Sequence, residues 1–452
     1  MVLRGLWEKF QLDQILSRLK RGRRFEFDLF SEVFLMVVGR ICEPASKRRT
    51  HRNSKHYWQI KRPALHKLYR SLDILAEGKE FIEEQLFLRY RDLFNQKVDV
   101  VFYDATTLSF ESVREDTLRA FGYSKQMKVN RTQVLLGLII DQKGMPVGFD
   151  VFPGNKFEGH TLREAISKLS RRFEVERVIF VADKAMMSQG NLELLNQVGY
   201  QWVIAERAKN AARDLRQKLL SPEGYRALAY SKQGEVILKT KLIPQKEGEK
   251  VIAVWSRSRA ERDRQERERM LKKAREMIQQ KKIKQRLQQR GALRYVKINL
   301  KGKPELDEEK IKMEERWDGF YAIRTNVPET DESRLLDIYH QLWRIEDAFR
   351  SLKSHLRVRP IYHHQPQRIR GHLVLCFLAF VLERSLWGEL KEKGLNYSEE
   401  QIRELLNEMQ YSVIEIEGKK YLLRSRLRTE QRRLLRALRI KVPEHIQELE
   451  DT

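Results

Sequence analysis

Residues 98–104, VDVVFYD, decide the fold of this 452-residue chain. They form a nearly continuous apolar run, rich in Val and aromatic residues, which is typical of a β-strand covered on both faces. Two similar runs follow, at residues 131–141 (RTQVLLGLIID) and 145–152 (MPVGFDVF). The Lys143-Gly144 pair between them predicts a hairpin turn. We therefore expect three meandering strands.

Helices and strands alternate after these three strands. Residues 159–173 and 191–198 have helical patterns, and residues 177–183 (RVIFVAD) and 201–205 (QWVIA) predict two further strands. Three meandering strands followed by βαβ crossovers are the order of the ribonuclease-H-like fold, an α/β class. The right-handed crossover rule places the fourth strand beside the first and parallel to it. Their carboxyl-terminal ends should then meet at one edge, where ligands of open α/β sheets gather.

Changes in composition divide the rest of the chain. Residues 1–95 are predicted to be a helical DNA-binding domain, with helical runs at 25–41 and 71–94. Residues 96–205 and 327–390 form the two parts of the α/β core. Residues 206–326 are predicted to be an inserted β-rich subdomain around a long charged helix, with β-like pieces at 235–239, 251–255, 294–300 and 319–324. Residues 391–452 form a basic, helical C-terminal region with one hairpin centred on Gly418.

The charge of the chain restricts its partners. It has 89 Lys and Arg against 63 Asp and Glu, a net charge of +26, and an ordinary hydrophobic fraction of 41%. Two cysteines exclude a disulfide framework and a four-thiolate zinc site. No apolar run has the length of a membrane-spanning helix, and the N-terminus has no signal-peptide pattern. We expect a cytoplasmic, nucleoid-associated protein that binds nucleic acid.

Three stretches concentrate the charge. Residues 47–70 carry nine Lys or Arg and no acid, and they interleave Tyr57, Trp58 and Tyr69. From this stretch we expect phosphate contacts by Lys47, Arg48, Arg49, Arg52, Lys61 and Arg62. Residues 424–441 carry eight basic residues against one acid. Residues 257–290 alternate both signs, which fits a self-paired helix surface as well as a binding surface.

Two acids end predicted buried strands. Asp104 follows VFY and Asp183 follows IFVA. Bringing two poorly solvated carboxylates together is costly unless a cation compensates, and Mg²⁺ binds one or two carboxylates together with phosphate oxygens. Each Asp alone also fits a simple cap of a strand–loop junction, but the predicted adjacency of the strands favours a metal site.

A third acid lies in the predicted helix 332–357. On a wheel of about 100° per residue, one apolar side collects Leu342, Ile345, Phe349, Leu352 and Leu356. Within about 40° of Glu346 lie Tyr339, Arg350, Lys353 and Arg357. Such a helix would dock its apolar side on the sheet and aim Glu346 at the strand edge, beside cations that suit a DNA backbone. The alternative is an exposed helix in which Glu346 pairs with Arg350.

These residues resemble the DDE transposases of bacterial insertion sequences. The resembled group, the IS-four-like superfamily, has a Tyr-(2)-Arg-(3)-Glu-(6)-Lys signature and a large β-rich insertion before the third acid. Tyr339, Glu346 and Lys353 match that spacing, whereas Leu342 occupies the Arg position. Arg344 and Arg350 are the candidates to supply the missing charge. The segments VFYDATT and VIFVADKAMMS resemble the contexts of the first and second catalytic Asp.

The resemblance implies metal-dependent hydrolysis at transposon ends, followed by transfer of the freed 3′-hydroxyl into target DNA. Asp104, Asp183 and Glu346 would be the catalytic residues and would bind two Mg²⁺ ions, with Mn²⁺ as a substitute. The implied partner is double-stranded DNA, bound by a homodimer in a synaptic complex. By the resemblance, Tyr339, Lys353 and the insertion subdomain would hold the DNA backbone near the scissile phosphate. Arg344, Arg350 and Arg357 are further candidate DNA contacts.

Other interpretations remain open on sequence alone. A ribonuclease-H-like nuclease or resolvase would share the acids without strand transfer, and a domesticated transposase would bind DNA without cutting it. We expect His363, His364 and His372 to be structural or to contact phosphate rather than to bind zinc. Asp318 is predicted to be a turn residue, and Asp347 to face solvent or form a salt bridge.

Overall fold

The computed structural model describes most of the chain and divides it into two compact units. The described residues are 1–23, 27–57, 62–94, 99–122, 130–171, 173, 179–183, 188–280, 291–299, 302–442 and 444–449. The first unit comprises residues 1–178 and 342–452, and the second comprises residues 179–341. No helix in these described ranges combines the length and the apolar character that crossing a membrane requires.

The N-terminal part of the first unit is helical, as predicted. Its helices are α1 (Val2–Lys9), α2 (Leu12–Lys20), α3 (Leu29–Cys42), α4 (Lys47–Asn53), α5 (Leu65–Glu77) and α6 (Lys79–Phe94). The predicted helical run 71–94 is divided at Gly78, the C-cap of α5. A Cβ at Gly78 would lie 2.6 Å from Leu19 Cδ2 on α2, so a larger residue at this break would displace the Leu19 side chain.

The predicted meander is confirmed as an antiparallel sheet in the order β3-β2-β1. Its strands are β1 (Val100–Ser109), β2 (Gln133–Asp141) and β3 (Pro146–Pro153). Gly144 has φ +82° in the predicted hairpin turn, and its N–H donates to the Asp141 carbonyl at 3.0 Å. The expected end of β1 was wrong. The strand continues beyond Asp104 to Ser109, and Thr106 and Thr107 favour this extension because they are β-branched. Asp104 therefore lies in the middle of β1, opposite Leu138 of β2.

The long helix α14 (Pro366–Glu392) forms the centre of the first unit. Almost all of its side chains from Ile369 to Leu386 are buried, and α3 and α5 pack against it. The other elements of this unit, given in chain order, are α7 (Leu162–Arg171), α13 (Trp343–Arg350), α15 (Glu399–Asn407), β12 (Tyr411–Ile416), β13 (Lys419–Arg424), α16 (Thr429–Ala437) and β14 (Ile446–Leu449). The hairpin between β12 and β13 turns at Gly418, as predicted.

The second unit contributes six strands that pair in the order β4-β5-β11-β8-β7-β6. Strands β4 (Ile179–Ala182) and β5 (Gln201–Glu206) are parallel and are joined through α8 (Gln189–Gln197), which confirms the predicted crossover. The remaining elements are α9 (Arg213–Leu220), β6 (Arg226–Tyr230), β7 (Val236–Pro244), β8 (Lys250–Ser256), α10 (Arg257–Gln279), β9 (Val296–Ile298), β10 (Pro304–Leu306), α11 (Glu308–Glu315), β11 (Phe320–Thr325) and α12 (Glu332–His340).

The strands of the predicted insertion extend this sheet. All four predicted β-like pieces fall on strands, namely β7, β8, β9 and β11. Strand β11 pairs with β5 on one side and with β8 on the other. The charged helix α10 carries ion pairs along its own surface, such as Arg257 with Glu261 at 3.5 Å and Arg259 with Asp263 at 3.9 Å. Residues 281–290 of the predicted charged helix lie outside the described residues.

The packing of α14 on α5 yields a stability prediction. A Cβ at Gly371 would lie 1.9 Å from the Leu72 carbonyl oxygen, whereas a Cβ at Gly388 of the same helix would have no neighbour within 4 Å. Gly371→Ala should lower the free energy of unfolding by about 1–3 kcal/mol or more, because the backbones must separate. Gly388→Ala should raise it by about 0.5–1 kcal/mol, since alanine favours a helix interior. Urea unfolding of both variants measures the difference, and equal effects would contradict the close approach.

Candidate active site

Strand β1 fixes the position of Asp104. The Asp104 side chain is half-buried, and its Oδ1 accepts a hydrogen bond from the Ala105 N–H at 2.7 Å. The neighbouring Tyr103 is buried, with its hydroxyl 2.6 Å from Thr161 Oγ1, and burial raises the pKa of that phenol. Because side chains alternate along a strand, Asp104 and Thr106 share one face of β1.

The predicted helix 332–357 is interrupted. Helix α12 ends at His340, α13 begins at Trp343, and a π-helical turn, Ser351–His355, follows α13. The break is a tight turn with i→i−3 bonds, from the Gln341 N–H to the Ile338 carbonyl (3.3 Å) and from the Ile345 N–H to the Leu342 carbonyl (3.1 Å). A continuous helical wheel is therefore the wrong description of this segment.

The break changes the environment of two predicted DNA contacts. Tyr339 lies on α12 in the second unit, half-buried, with its ring centroid 6.2 Å from that of His340. Arg357 follows the π-helical turn, is exposed and has a φ of +44°. Neither residue is positioned by the helix that carries Glu346.

Helix α13 docks its apolar side on the sheet, as predicted. Ile345, Ala348 and Phe349 are buried, and the helix packs against β1 and β2. Leu352 and Leu356 beyond it are also buried, whereas Leu342 is half-buried. Glu346 projects from the exposed side of this docked helix.

Lys353 contacts the strand of Asp104. Its ammonium Nζ donates to Thr106 Oγ1 at 2.5 Å. Thr106 lies two residues after Asp104 on the same face of β1, so the Lys353 charge is held on that face. Lys353 belongs to the π-helical turn, whose wider spacing redirects side chains relative to an α-helix and is frequent at functional sites.

The two arginines considered for the signature position differ in their contacts. The Arg344 guanidinium lies over the half-exposed Trp343 ring, 5.3 Å from its centroid, and its Nε has no hydrogen-bond partner among the described residues. Arg350 is exposed and lies 3.5 Å from Asp347 Oδ1. Asp347 thus forms a salt bridge, which is one of the two outcomes that the sequence left open. Which arginine replaces the missing signature residue stays a prediction.

A buried polar network anchors α13 to α14. Arg384 Nη2 donates to Asp347 Oδ2 at 2.8 Å and lies 3.4 Å from Glu399 Oε1. Ser351 Oγ lies 2.9 Å from Glu383 Oε2 and 3.2 Å from Glu399 Oε1. The Ser351 hydroxyl is the donor in both contacts and has one proton for the two carboxyl groups. Burial raises the pKa of Glu383 to about 7, although the Ser351 hydrogen bond opposes this rise.

Sequence reasoning missed this network. The sequence feature that indicates this network is the charged pair Glu383-Arg384, which lies inside the apolar run of α14. Charged residues are almost never fully buried unless they are paired, so such a pair indicates buried partners. The identity of the partners depended on the packing of α13 and α15, which local sequence does not reveal.

Asp183 and Glu346 belong to different units. Asp183 directly follows β4, as predicted, and is half-buried in the second unit, whereas Asp104 and Glu346 lie in the first. Within the described residues, no group of three His, Cys, Asp or Glu side chains is arranged to hold a metal ion. The assembly of Asp104, Asp183 and Glu346 around metal therefore stays a prediction.

Only some of the basic side chains in residues 47–70 lie on the protein surface. Arg48, Arg49, Arg52 and Arg62 are exposed, and Arg49 pairs with Glu43 at 2.8 Å. Lys47 is 3% exposed, so its predicted contact with a DNA duplex is not supported: it points into the protein interior. The predicted contact Lys61, and Trp58 beside it, lie outside the described residues.

The remaining predicted polar residues have ordinary structural surroundings. Asp318 lies in the turn before β11, as predicted, and both of its carboxylate oxygens accept from Arg267. His363 and His372 are buried, whereas His364 is exposed.

The network beneath α13 predicts a pH dependence of stability. The folded pKa of Glu383, about 7, exceeds its ordinary value of 4.5, so the folded protein keeps a proton that the unfolded chain releases. The contribution of Glu383 to the free energy of unfolding should therefore fall as pH rises from about 4.5 to 7, by about 3 kcal/mol. Glu383→Gln should remove this contribution, because an amide does not titrate, and should leave that of Glu32, whose pKa burial also raises to about 7.

Urea unfolding at a series of pH values measures this effect. The exposed Glu404→Gln on α15 is the matched control and should keep the wild-type pH profile. If Glu383→Gln and the wild type lost stability in parallel, Glu383 would not be the protonated member of the network.

Comparison with known proteins identifies the family. The family described as the transposase DDE domain matches residues 95–382. Among solved structures, the chain is similar to a piggyBac transposase synaptic complex with hairpin DNA, at 9% identity and TM-score 0.47 over 90% of this chain and 80% of that one. It is also similar to a Mos1 transposase paired-end complex with the left transposon end, at 12% identity and TM-score 0.18 over 42% of this chain and 66% of that one.

These structural likenesses are too weak to add to the assignment, and no curated protein matches the chain in sequence. The assignment rests on the family match, because this match spans well over half of the chain, from before β1 to within α14. The chain therefore belongs to the DDE transposase family, whose members are polynucleotidyl transferases and endonucleases.

Proposed function

We propose that this chain is a cut-and-paste transposase of an insertion sequence, of the group with the Tyr-Arg-Glu-Lys signature and a ribonuclease-H-like core. It would hydrolyse a phosphodiester at each element end and transfer the freed 3′-hydroxyl into target DNA. The observation that best supports the proposal is the contact of Lys353 with Thr106. Through it, the segment that carries Glu346 and Lys353 reaches the strand that carries Asp104.

The proposed ligands suit a hard divalent cation. DDE transposases use divalent metal ions, and Asp104, Asp183 and Glu346 offer carboxylate oxygens, the donors that Mg²⁺ and Mn²⁺ prefer. Asp104 is half-buried between two buried neighbours, so a cation would offset the poor solvation of its carboxylate. Two bound Mg²⁺ ions would activate water and stabilise the leaving oxygen of an in-line displacement.

The protein's own side chains would position the DNA. The Lys353 ammonium, which contacts Thr106, would pair with a backbone phosphate near Asp104, and Arg344 and Arg350 would extend the positive charge along α13. Tyr339 and Arg357 are proposed to contact the same strand from their separate segments. Further duplex contacts are proposed for the exposed Arg48, Arg49, Arg52 and Arg62, and no longer for Lys47.

The proposed assembly is a homodimer. Two element ends must be cut and joined in concert, and a two-fold symmetric complex brings two identical sites to two inverted-repeat ends. The double-stranded partners are then the element ends and the target. The net charge of +26 suits such an extensive polyanionic partner.

The proposed acids yield the central prediction. Asp104→Asn, Asp183→Asn and Glu346→Gln should each bind the inverted repeats that flank the gene as the wild type does, and should lower Mg²⁺-dependent cleavage by about 10³-fold or more. Loss of one carboxylate removes a metal ligand while leaving the DNA-binding surface intact. Cleavage of end-labelled duplexes and gel mobility shifts measure the two properties separately.

The exposed Glu415→Gln on β12 is the matched control and should cleave normally. Full cutting by any one of the three variants would remove that residue from the site. Strand transfer is tested with a precut element end and a supercoiled target. Cleavage without joining would indicate a nuclease or resolvase, and binding without cleavage in Mg²⁺ or Mn²⁺ would indicate a domesticated DNA-binding protein.

A further inference from the structure

A cavity of about 440 Å³ lies in the first unit, lined by residues from α3, α4, α5 and the segment 360–372. Four of its lining residues are basic and almost completely buried: Arg40 (5% exposed), Lys47 (3%), His363 (7%) and His372 (3%). No Asp or Glu is among its described lining residues. The cavity therefore gathers four buried basic side chains without an acidic counter-ion among its described lining residues.

The basic groups in the cavity are incompletely satisfied. Arg40 donates from its Nη atoms to the carbonyls of Leu356, Arg357 and Ala45 at 3.3, 3.1 and 3.0 Å, but its Nε has no partner among the described residues. His372 Nε2 lies 3.0 Å from the Val358 carbonyl, and its Nδ1 also lacks a partner there.

Lys47 is the least satisfied of the four. In the described part of the chain, its ammonium makes no hydrogen bond or ion pair with a carboxylate, and the groups around it include the Arg40 guanidinium. Burial, reinforced by Arg40, holds the pKa of Lys47 well below its usual value. Burial and the nearby Lys47 and Arg40 charges also lower the pKa of His363 to about 3.

Burial favours the neutral forms of these basic groups, so an anion that entered the cavity would favour their charged forms. Without an anion, a buried and unpaired lysine contributes nothing that a methionine of similar length would not supply. Arg40 has a structural role because it donates to three backbone carbonyls, whereas Lys47 makes no such contact among the described residues. A negatively charged ligand would explain why a lysine occupies this buried position.

Two aromatic side chains define the ligand further. Tyr69 lines the cavity, with its ring centroid 5.9 Å from that of His363, and Tyr362 lines it while remaining 61% exposed. Tyrosine faces stack on unpaired nucleobases, and Arg and Lys bind phosphate oxygens. The cavity volume falls within the usual range for small-ligand sites, roughly 300–1,000 Å³.

We propose that this cavity binds an unpaired nucleotide, with its phosphate on Lys47 and Arg40 and its base against Tyr362. The nucleotide comes either from an unpaired DNA strand or from a free mononucleotide, since both present the same phosphate and base. The site is separate from Asp104 and Glu346 in its residues, and it requires neither metal nor cleavage.

The test uses the full-length protein without metal. Thymidine 5′-monophosphate should raise the melting temperature of the wild type. Lys47→Met should raise the melting temperature of the ligand-free protein and weaken nucleotide binding by about tenfold or more, because a charge-assisted contact is lost. The exposed Lys232→Met in the second unit is the matched control and should change neither property. Calorimetric titration gives the affinities.

Two further measurements identify the ligand and keep the test informative if Lys47→Met does not fold. A single-stranded oligothymidylate that binds tighter than the mononucleotide indicates the DNA strand, and the reverse order indicates the free nucleotide. Should Lys47→Met fail to fold, Tyr362→Ala at the exposed tyrosine should weaken the mononucleotide but not inorganic phosphate. Undiminished binding by Lys47→Met, or a lower stability of its ligand-free form, would overturn the proposal. Because no cleavage is measured, the result does not depend on the transposase chemistry.

Discussion

The packing of α13 against β1 is the contact on which the candidate site depends. Burial of Ile345, Ala348 and Phe349 fixes the helix on the sheet and leaves Glu346 on its exposed side. Apolar burial of this kind is strong but not directional. The direction comes from two polar contacts, because Lys353 reaches Thr106 on one side of the segment and Asp347 reaches Arg384 on the other. Together they restrict rotation and sliding of the element that carries the third acid.

Two buried basic clusters of the first unit, around Arg384 and around Lys47, differ in whether an acid pairs with the positive charge. Around Arg384, each positive charge meets an acid: Asp347 and Glu399 both lie within ion-pair distance. Around Lys47 there is no such acid among the described cavity residues. Paired buried charges contribute to a specific fold, whereas unpaired ones oppose it. The Arg384 charge is therefore paired within the chain, and we propose that the basic groups around Lys47 are paired by an anion.

The sequence predicted the elements whose signals are local. The apolar runs, the Lys143-Gly144 turn, the β4–α8–β5 crossover and the turn at Asp318 all follow from residues adjacent in the chain. The errors concern contacts that are remote in sequence. Burial of Lys47 requires α14 and the segment 360–372, and no property of the basic stretch itself distinguishes it from Arg48. The length of β1 was underestimated because the apolar pattern ends at Tyr103, while pairing with β2 continues to Ser109.

The signature spacing itself has a different physical meaning from the one that a helical wheel suggests. Residues seven positions apart on a straight α-helix lie within about 20° of each other, so Glu346 and Lys353 would form one stripe. In the structure, α13 ends at Arg350 and Lys353 lies on a π-helical turn, where the wider turn breaks that stripe. Lys353 is instead defined by its contact with Thr106, two residues from Asp104. The seven-residue spacing between Glu346 and Lys353 therefore does not correspond to two turns of one helix. It is the length of chain that connects the exposed side of α13 to the contact with β1.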